Sequence, residues 1–87
     1  LARKLDLDRV IMMSGCPGAP GDRHPNWITV AWPPETSETL EWQWNEIAVP
    51  YWRDLVAFAA DEGITRLCLE MHGQQLVYNV PSLMRLV

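Results

Sequence analysis

The chain has 87 residues, 48% of them hydrophobic, and a formal net charge of −4. This length allows one domain at most. The seven basic residues are scattered along the chain, which excludes the basic patch of a nonspecific nucleic-acid-binding protein. No apolar run reaches the roughly 18 residues of a membrane helix, so we expect no membrane partner, and two cysteines outside any CxxC pair predict free thiols in a cytoplasmic protein.

The first part of the chain predicts one strand followed by a long loop. Residues 1–6 have the composition of a helix end, and the apolar run RVIMMS at 9–14 is rich in strand formers. Residues 14–26 contain three Gly and three Pro, which is loop composition, and the irregular stretch continues to about residue 36. Long loops on a rigid scaffold are often lids or binding loops.

The longest predicted element is a helix over residues 38–62. Ser37 is the expected N-cap, and acidic residues occupy the first turn, where the helix dipole favours them. Pro50 lacks a backbone N–H and clashes with the preceding turn, so we expect a kink or a break near residues 47–50. Beyond it, an apolar stripe at helical spacing is formed by Trp52, Leu55, Val56 and Ala59.

The last part of the chain predicts a second strand and the start of another helix. The strand is TRLCLEM at 65–71, and Asn79 or Ser82 is expected to open the helix. Strands and helices therefore alternate, which is typical of parallel strands joined by helical crossovers. The sequence predicts an α/β fold with two parallel strands, a long loop and a crossover helix.

Two polar residues stand out at the carboxyl end of the second predicted strand. Side chains alternate between the faces of a strand, so Leu67 and Leu69 share one face, while Cys68, Glu70 and His72 share the other. In parallel α/β folds the chemistry lies at the carboxyl ends of the strands. The spacing lets both polar side chains reach one point, such as a metal ion or a bound hydroxyl.

The loop after the first predicted strand begins at the same edge of the sheet and supplies further candidates. Cys16 follows the strand, and Trp27 and Trp32 lie farther along the loop. The flat face of a tryptophan can stack on the apolar face of a sugar. We therefore predict that Cys16, Trp27 and Trp32 contribute to substrate binding.

Several segments together resemble the sugar phosphate isomerase/epimerase group of the xylose-isomerase-like TIM barrels. They are CPG after a strand, NWITVAWPPE, PYWRDLVAFAADEGI and LCLEMHGQQLVYNVPSLMRL, so the resemblance covers nearly the whole chain. It implies a segment of a TIM (β/α)8 barrel, with residues 1–87 forming a partial barrel domain. It also implies aldose–ketose isomerisation or epimerisation of a sugar or sugar phosphate, by proton transfer next to a carbonyl.

The resemblance also implies roles for individual residues. Glu70 would be a ligand of a divalent metal, Mn²⁺ or Mg²⁺ with Zn²⁺ as an alternative, and the other ligands would come from later strands. His72 would be catalytic or contact the substrate. A proline commonly follows that histidine in the family, whereas this chain has Gly73, so the loop conformation departs from the pattern.

Plainer interpretations of the same residues are also open. Glu70 could be a carboxylate paired with Arg or Lys at a strand end, and His72 could cap a loop. The alternative function is a non-catalytic or truncated barrel-derived binding module without a complete metal site. Because one ligand cannot form a tight site, we predict that the isolated 87 residues have neither isomerase activity nor appreciable Mn²⁺ affinity. The high apolar content leaves self-association into a homo-oligomer open.

Overall fold

The computed structural model describes all residues, 1–87, and shows two strands joined by one long helical crossover. The elements in chain order are a 3₁₀ turn at Arg3–Leu5, β1 at Arg9–Met12, α1 at Pro34–Trp42, a π-helical segment at Gln43–Ala48, α2 at Val49–Asp61, β2 at Arg66–Leu69 and α3 at Val80–Leu86. The two strands pair in parallel, so the predicted α/β class with two parallel strands, a long loop and a crossover helix is confirmed. None of the helices combines the length and the apolar character needed to cross a membrane.

The helices cover one face of the small sheet. In the register of the sheet, Met12 lies opposite Leu69, and both pack against the buried core, as does Leu67. The core itself consists of Trp44, Ala48, Trp52, Leu76 and Val77. Ile11 belongs to the other face and is 70% exposed. The predicted division of the second strand into a helix-facing row of leucines and an opposite face is therefore confirmed.

The crossover helix begins earlier than predicted. Its first residue is Pro34, and Pro33 is the N-cap residue, so the prediction of Ser37 as the N-cap was wrong. The amide of Ser37 already donates to the carbonyl oxygen of Pro33, which places Ser37 inside the first turn. A proline at the first helical position needs no hydrogen-bond partner and has a backbone angle suited to the helix, and this outweighs the Ser37 signal.

Of the kink or break predicted near residues 47–50, the break does not occur, because the chain stays helical from Pro34 to Asp61. The hydrogen-bond ladder widens over the π segment instead, and the amide of Val49 donates to the carbonyl oxygen of Trp44, five residues earlier. Pro50 then occupies the first turn of α2, where its missing N–H does least harm. The widened turn absorbs the proline without a break.

The short elements end sooner than the sequence indicates. Residues 1–6 form a single 3₁₀ turn closed by Asp6 in the left-handed conformation, with φ 59°. Strand β1 ends at Met12 and strand β2 at Leu69. Of the two predicted openings for the last helix, Asn79 is the N-cap residue.

Candidate functional site

The candidate site lies at the carboxyl end of the sheet, where β2 ends. Glu70 follows the last strand residue, and its amide donates to the carbonyl oxygen of Met12 over 2.9 Å, so the parallel ladder fixes its backbone. Its side chain is exposed and takes part in none of the three ion pairs of the chain. Within these 87 residues the carboxylate of Glu70 therefore has no Arg or Lys partner.

His72 lies two residues beyond Glu70 in a tight turn. Its Nδ1 is 2.6 Å from the carbonyl oxygen of Gly73. A carbonyl only accepts hydrogen bonds, so Nδ1 carries the proton in this arrangement, and in the neutral ring the lone pair lies on Nε2. The amide of Gln75 donates to the carbonyl oxygen of His72 and closes the turn. The imidazole is exposed and presents one free nitrogen, while its other nitrogen fixes the ring.

Trp27 lies against the same turn. Its ring meets that of Tyr78 edge to face, with centroids 5.5 Å apart and an interplanar angle of 90°. A Cβ atom at Gly73 would lie 3.7 Å from Cη2 of Trp27, which is ordinary contact. The indole Nε1 is buried without a hydrogen-bond partner. The structure thus brings Trp27 from the first loop beside the turn that carries His72.

Trp32 occupies a different place. Its side chain is 73% exposed and lines an open cleft of about 660 Å³ with residues at the start of α1, among them Glu38 and Glu41. No residue of β2 or of the turn after it lines this cleft. The structure therefore does not bring Trp32 together with Glu70 and His72, because its segment packs along the beginning of α1.

Cys16 is half-buried, and its Sγ lies 3.7 Å from the carbonyl oxygen of Pro17. Burial raises the pKa of the thiol, and a backbone hydrogen bond from Asn26 lowers it by a smaller amount. A thiol with a raised pKa is predominantly protonated near neutral pH and is a poor nucleophile. Cys16 and Cys68 are both free, as expected. The position of Cys16 suits a contact in the wall of a site better than nucleophilic catalysis.

Three hydrogen bonds that the sequence did not indicate join the two loops at this edge. The hydroxyl of Ser14 accepts from the amide of Val77 over 2.9 Å, and the amide of Gly15 donates to Oε1 of Gln75 over 2.8 Å. The amide of Leu76 donates to the carbonyl oxygen of Gly15 over 2.9 Å. These contacts place the start of the first loop beside the turn after β2.

Gln43 was also missed. It is fully buried, at 0% exposure, and its side-chain amide donates to carbonyl oxygens of the first loop. The signal was present in the sequence as a polar residue between two tryptophans, WQW at 42–44. A polar residue inside an apolar run that becomes buried needs hydrogen-bond partners.

Within the chain, no three His, Cys, Asp or Glu side chains come close enough together to hold a metal ion. Glu70 offers a carboxylate oxygen, the donor type preferred by Mg²⁺ and Mn²⁺, and Nε2 of His72 offers an imidazole nitrogen. The residues present therefore fit a metal site in part, as one carboxylate and an imidazole two residues farther along the chain.

No protein-family model and no solved structure matches the chain. The chain is 48% identical, over 89 residues, to the uncharacterized protein YfiH of Bacillus subtilis (strain 168). The match covers 99% of this chain and 28% of that protein. The chain thus spans little more than a quarter of the length of the curated relative it matches.

Proposed function

We propose that this chain is a segment of a divalent-metal-dependent sugar or sugar phosphate isomerase or epimerase with a TIM-barrel fold. The observation that carries the proposal is the unpaired carboxylate of Glu70 at the carboxyl end of a parallel strand, with His72 two residues farther on. Carboxyl ends of parallel strands are where barrel enzymes place their catalytic groups. The resemblance of the LEMH and LVYN segments to the isomerase/epimerase group supplies the reaction class.

The apolar surface of the chain supports the barrel part of the proposal. Between α2 and α3 a groove of about 710 Å³ runs beside β2, with ten hydrophobic residues among the twelve that line it. On the opposite side of the sheet Ile11 is open to solvent, as a residue facing a barrel interior would be before the other strands are in place. In a barrel, further strands and helices would cover both surfaces.

The metal, when bound, would hold adjacent oxygens of the sugar and polarise its carbonyl group. Glu70 would contribute one ligand oxygen, and the remaining ligands would have to come from other segments of the full-length protein. Nε2 of His72, the unprotonated nitrogen in the neutral ring, would accept a hydrogen bond from a sugar hydroxyl or take up a proton. Trp27 would form a wall beside that imidazole.

A second candidate function is a non-catalytic, barrel-derived binding module. It is favoured by the single carboxylate at the strand end, because one carboxylate and one imidazole do not make a tight divalent-metal site. The two functions differ in whether the full-length protein supplies the remaining ligands. Metal content therefore separates them before any substrate is known.

The proposal is tested on the full-length protein, comparing wild type with Glu70→Gln. Metal content after dialysis against Mn²⁺ is measured by mass spectrometry, and proton transfer is measured by deuterium uptake from D2O into a panel of sugars and sugar phosphates. Uptake next to the carbonyl identifies the reaction class even when the product has not been characterised. Replacing a residue that only orients a metal ligand lowers metal affinity or activity roughly 10–100-fold. We expect Glu70→Gln to lower both metal content and turnover by more than that.

Glu46→Gln is the matched control, because Glu46 is an exposed carboxylate in the π segment and belongs to no ion pair. It should retain wild-type metal content and deuterium uptake. A Glu70→Gln protein with full metal content and turnover would remove Glu70 from the metal site. A wild-type protein that holds no divalent metal and exchanges no deuterium with any sugar would establish the binding module instead.

A further inference from the structure

We propose that Gln43 is the positioning residue of the candidate site, holding the loop after β1 so that Trp27 lies against the turn of His72. The contribution to substrate binding rests on the proposed function, whereas the hold on the loop does not. The two parts are therefore tested by separate measurements. Gln43 was not indicated by the motifs that suggest the metal site.

The side-chain amide of Gln43 reaches both limbs of the loop. Its Nε2 lies 3.1 Å from the carbonyl oxygen of Pro17, 3.3 Å from that of Gly18 and 2.8 Å from that of Asn26. Pro17 and Gly18 belong to the outgoing limb and Asn26 to the returning limb. One buried amide group therefore joins the two limbs to the helix.

The two limbs of the loop approach each other closely where Gln43 contacts them. The amide of Asn26 donates to the carbonyl oxygen of Pro17 over 2.9 Å, which closes the loop directly between its limbs. A Cβ atom at Gly18 would lie 2.5 Å from the carbonyl oxygen of His24, so the returning backbone approaches as closely as a glycine permits. The loop is compact, with carbonyl oxygens gathered where Gln43 can reach them.

The hydrogen bond from Gln43 to Asn26 affects the candidate site through the next residue, Trp27. Trp27 follows directly and places its ring against Tyr78, with centroids 5.5 Å apart, and beside Gly73. Gly73 is the residue whose carbonyl oxygen accepts from Nδ1 of His72. If the loop is released, the wall beside His72 moves while the backbone of Glu70 stays in the sheet.

The chemistry requires a donor at position 43. The side-chain amide of glutamine carries two N–H donors on one nitrogen, whereas a carboxylate of the same shape would turn only acceptors toward the carbonyl oxygens. Oε1 of Gln43 is buried without a partner, which costs stability. An apolar side chain would fill the same space without burying an unpartnered oxygen. Glutamine at this position is therefore explained by the hydrogen bonds that its N–H groups donate to the loop.

The test uses the full-length protein with Gln43→Met, which keeps the length and flexibility of the side chain, removes the donors and also removes the unpartnered Oε1. The first readout is the alkylation rate of Cys16 by iodoacetamide, resolved by peptide mass spectrometry. The second is the exchange rate of the Asn26 amide. Glu46→Met is the control, because it introduces the same side chain at an exposed position of the π segment that carries Gln43.

We expect Gln43→Met to raise the alkylation rate of Cys16 and the exchange rate of the Asn26 amide by at least about tenfold, since the loop loses its hydrogen bonds to the helix. Glu46→Met should change neither rate, and the far-ultraviolet circular dichroism of both variants should match wild type. Unchanged rates in Gln43→Met would overturn the proposal. Should that variant fail to fold, the wild-type protein decides, because an unprotected Asn26 amide there would equally overturn it.

The link to the candidate site has its own readout, which is the division of the effect between KM and kcat in the deuterium-uptake measurement. A positioning residue for the Trp27 wall should raise KM about tenfold in Gln43→Met and change kcat by less than about threefold, because the metal ligand is untouched. If Gln43→Met had the KM and kcat of wild type although its Cys16 alkylation and Asn26 amide exchange were faster, the link between Gln43 and the candidate site would be refuted. Absence of deuterium uptake in wild type would refute the proposed function and leave the loop measurements to decide the role of Gln43.

Discussion

The hydroxyl of Ser14 accepts a hydrogen bond of 2.9 Å from the amide of Val77, a residue with 0% exposure. Ser14 follows β1 by two residues, and Val77 lies in the segment between β2 and α3, so this bond ties together the two segments at the carboxyl edge of the sheet. The same hydroxyl donates to the carbonyl oxygen of Gly15 over 2.9 Å. The Ser14 side chain thus links the two segments beyond the point where the backbone hydrogen bonds between β1 and β2 end.

Replacing Ser14 by Ala should destabilise the protein by about 1–3 kcal/mol, because the buried amide of Val77 would lose its acceptor. Urea denaturation followed by tryptophan fluorescence measures the free energy of unfolding. Ser37→Ala serves as the control, since Ser37 is also half-buried but lies inside α1, and it should cost less than about 0.5 kcal/mol. Equal losses in the two variants would contradict the role of the Ser14 hydroxyl.

Asn79 caps α3 by a reciprocal pair of hydrogen bonds. Its Oδ1 accepts from the amide of Ser82 over 3.0 Å, and Oγ of Ser82 accepts from the amide of Asn79 over 3.1 Å. Asn79→Ala should therefore lower the free energy of unfolding by about 1 kcal/mol. Asn45→Ala removes an exposed asparagine from the middle of the helix and should cause no such loss in the same denaturation experiment. A cap variant as stable as wild type would show that α3 is held by packing alone.

Two tryptophans should differ sharply in their contribution to stability. Trp52 is 7% exposed in the core, whereas Trp32 is 73% exposed in the cleft at the start of α1. We expect Trp52→Ala to cost about 3–5 kcal/mol through the cavity it leaves. Trp32→Ala should change the free energy of unfolding by no more than about 0.5 kcal/mol. Thermal and urea unfolding of the two variants measure the difference, and comparable losses would mean that Trp32 is covered in the protein in solution.

The raised pKa of Cys16 makes stability depend on alkaline pH. Its pKa is above that of an unfolded thiol because burial disfavours the thiolate. In the range between the unfolded and the folded pKa the unfolded chain therefore binds fewer protons, and the free energy of unfolding falls as pH rises through that range. At pH values below the pKa of the unfolded thiol, the contribution of Cys16 to the free energy of unfolding is constant. Urea denaturation from pH 7 to 10 should show a smaller alkaline loss in Cys16→Ala than in wild type, with Cys68→Ala as the control, and parallel curves would contradict this.

Local patterns in the sequence were sufficient for the class of fold and for the place of the candidate site. The run of Leu67 and Leu69 predicted which face of β2 meets the helices, because alternation in a strand is set by the backbone alone. Asn79 was identifiable as a cap because its partner Ser82 is only three residues away. Glu70 could be placed at a strand end for the same reason, since only neighbouring residues were needed.

Where local signals competed, the sequence did not decide. Ser37 and Pro34 both favour a helix start, and only the hydrogen bond from the Ser37 amide to Pro33 shows that the proline prevails. Pro50 predicts a kink or a break, and the structure accommodates it without a break by a widened turn upstream, where the Val49 amide donates to the Trp44 carbonyl oxygen. The helix start at Pro34 and the unbroken helix through Pro50 both depend on how neighbouring helical turns distribute their backbone donors and acceptors.

By itself the sequence determined the order of the elements, the face of β2 that is buried and the carboxylate at its end, because these follow from spacing along the chain. The tertiary structure decided which distant residues meet. Trp27 came to lie against the turn that carries His72, whereas Trp32 did not, and Gln43 became the residue that joins the loop after β1 to the helix. These contacts join residues far apart in the sequence, and they are set by buried polar groups finding partners in three dimensions, for which no local pattern exists.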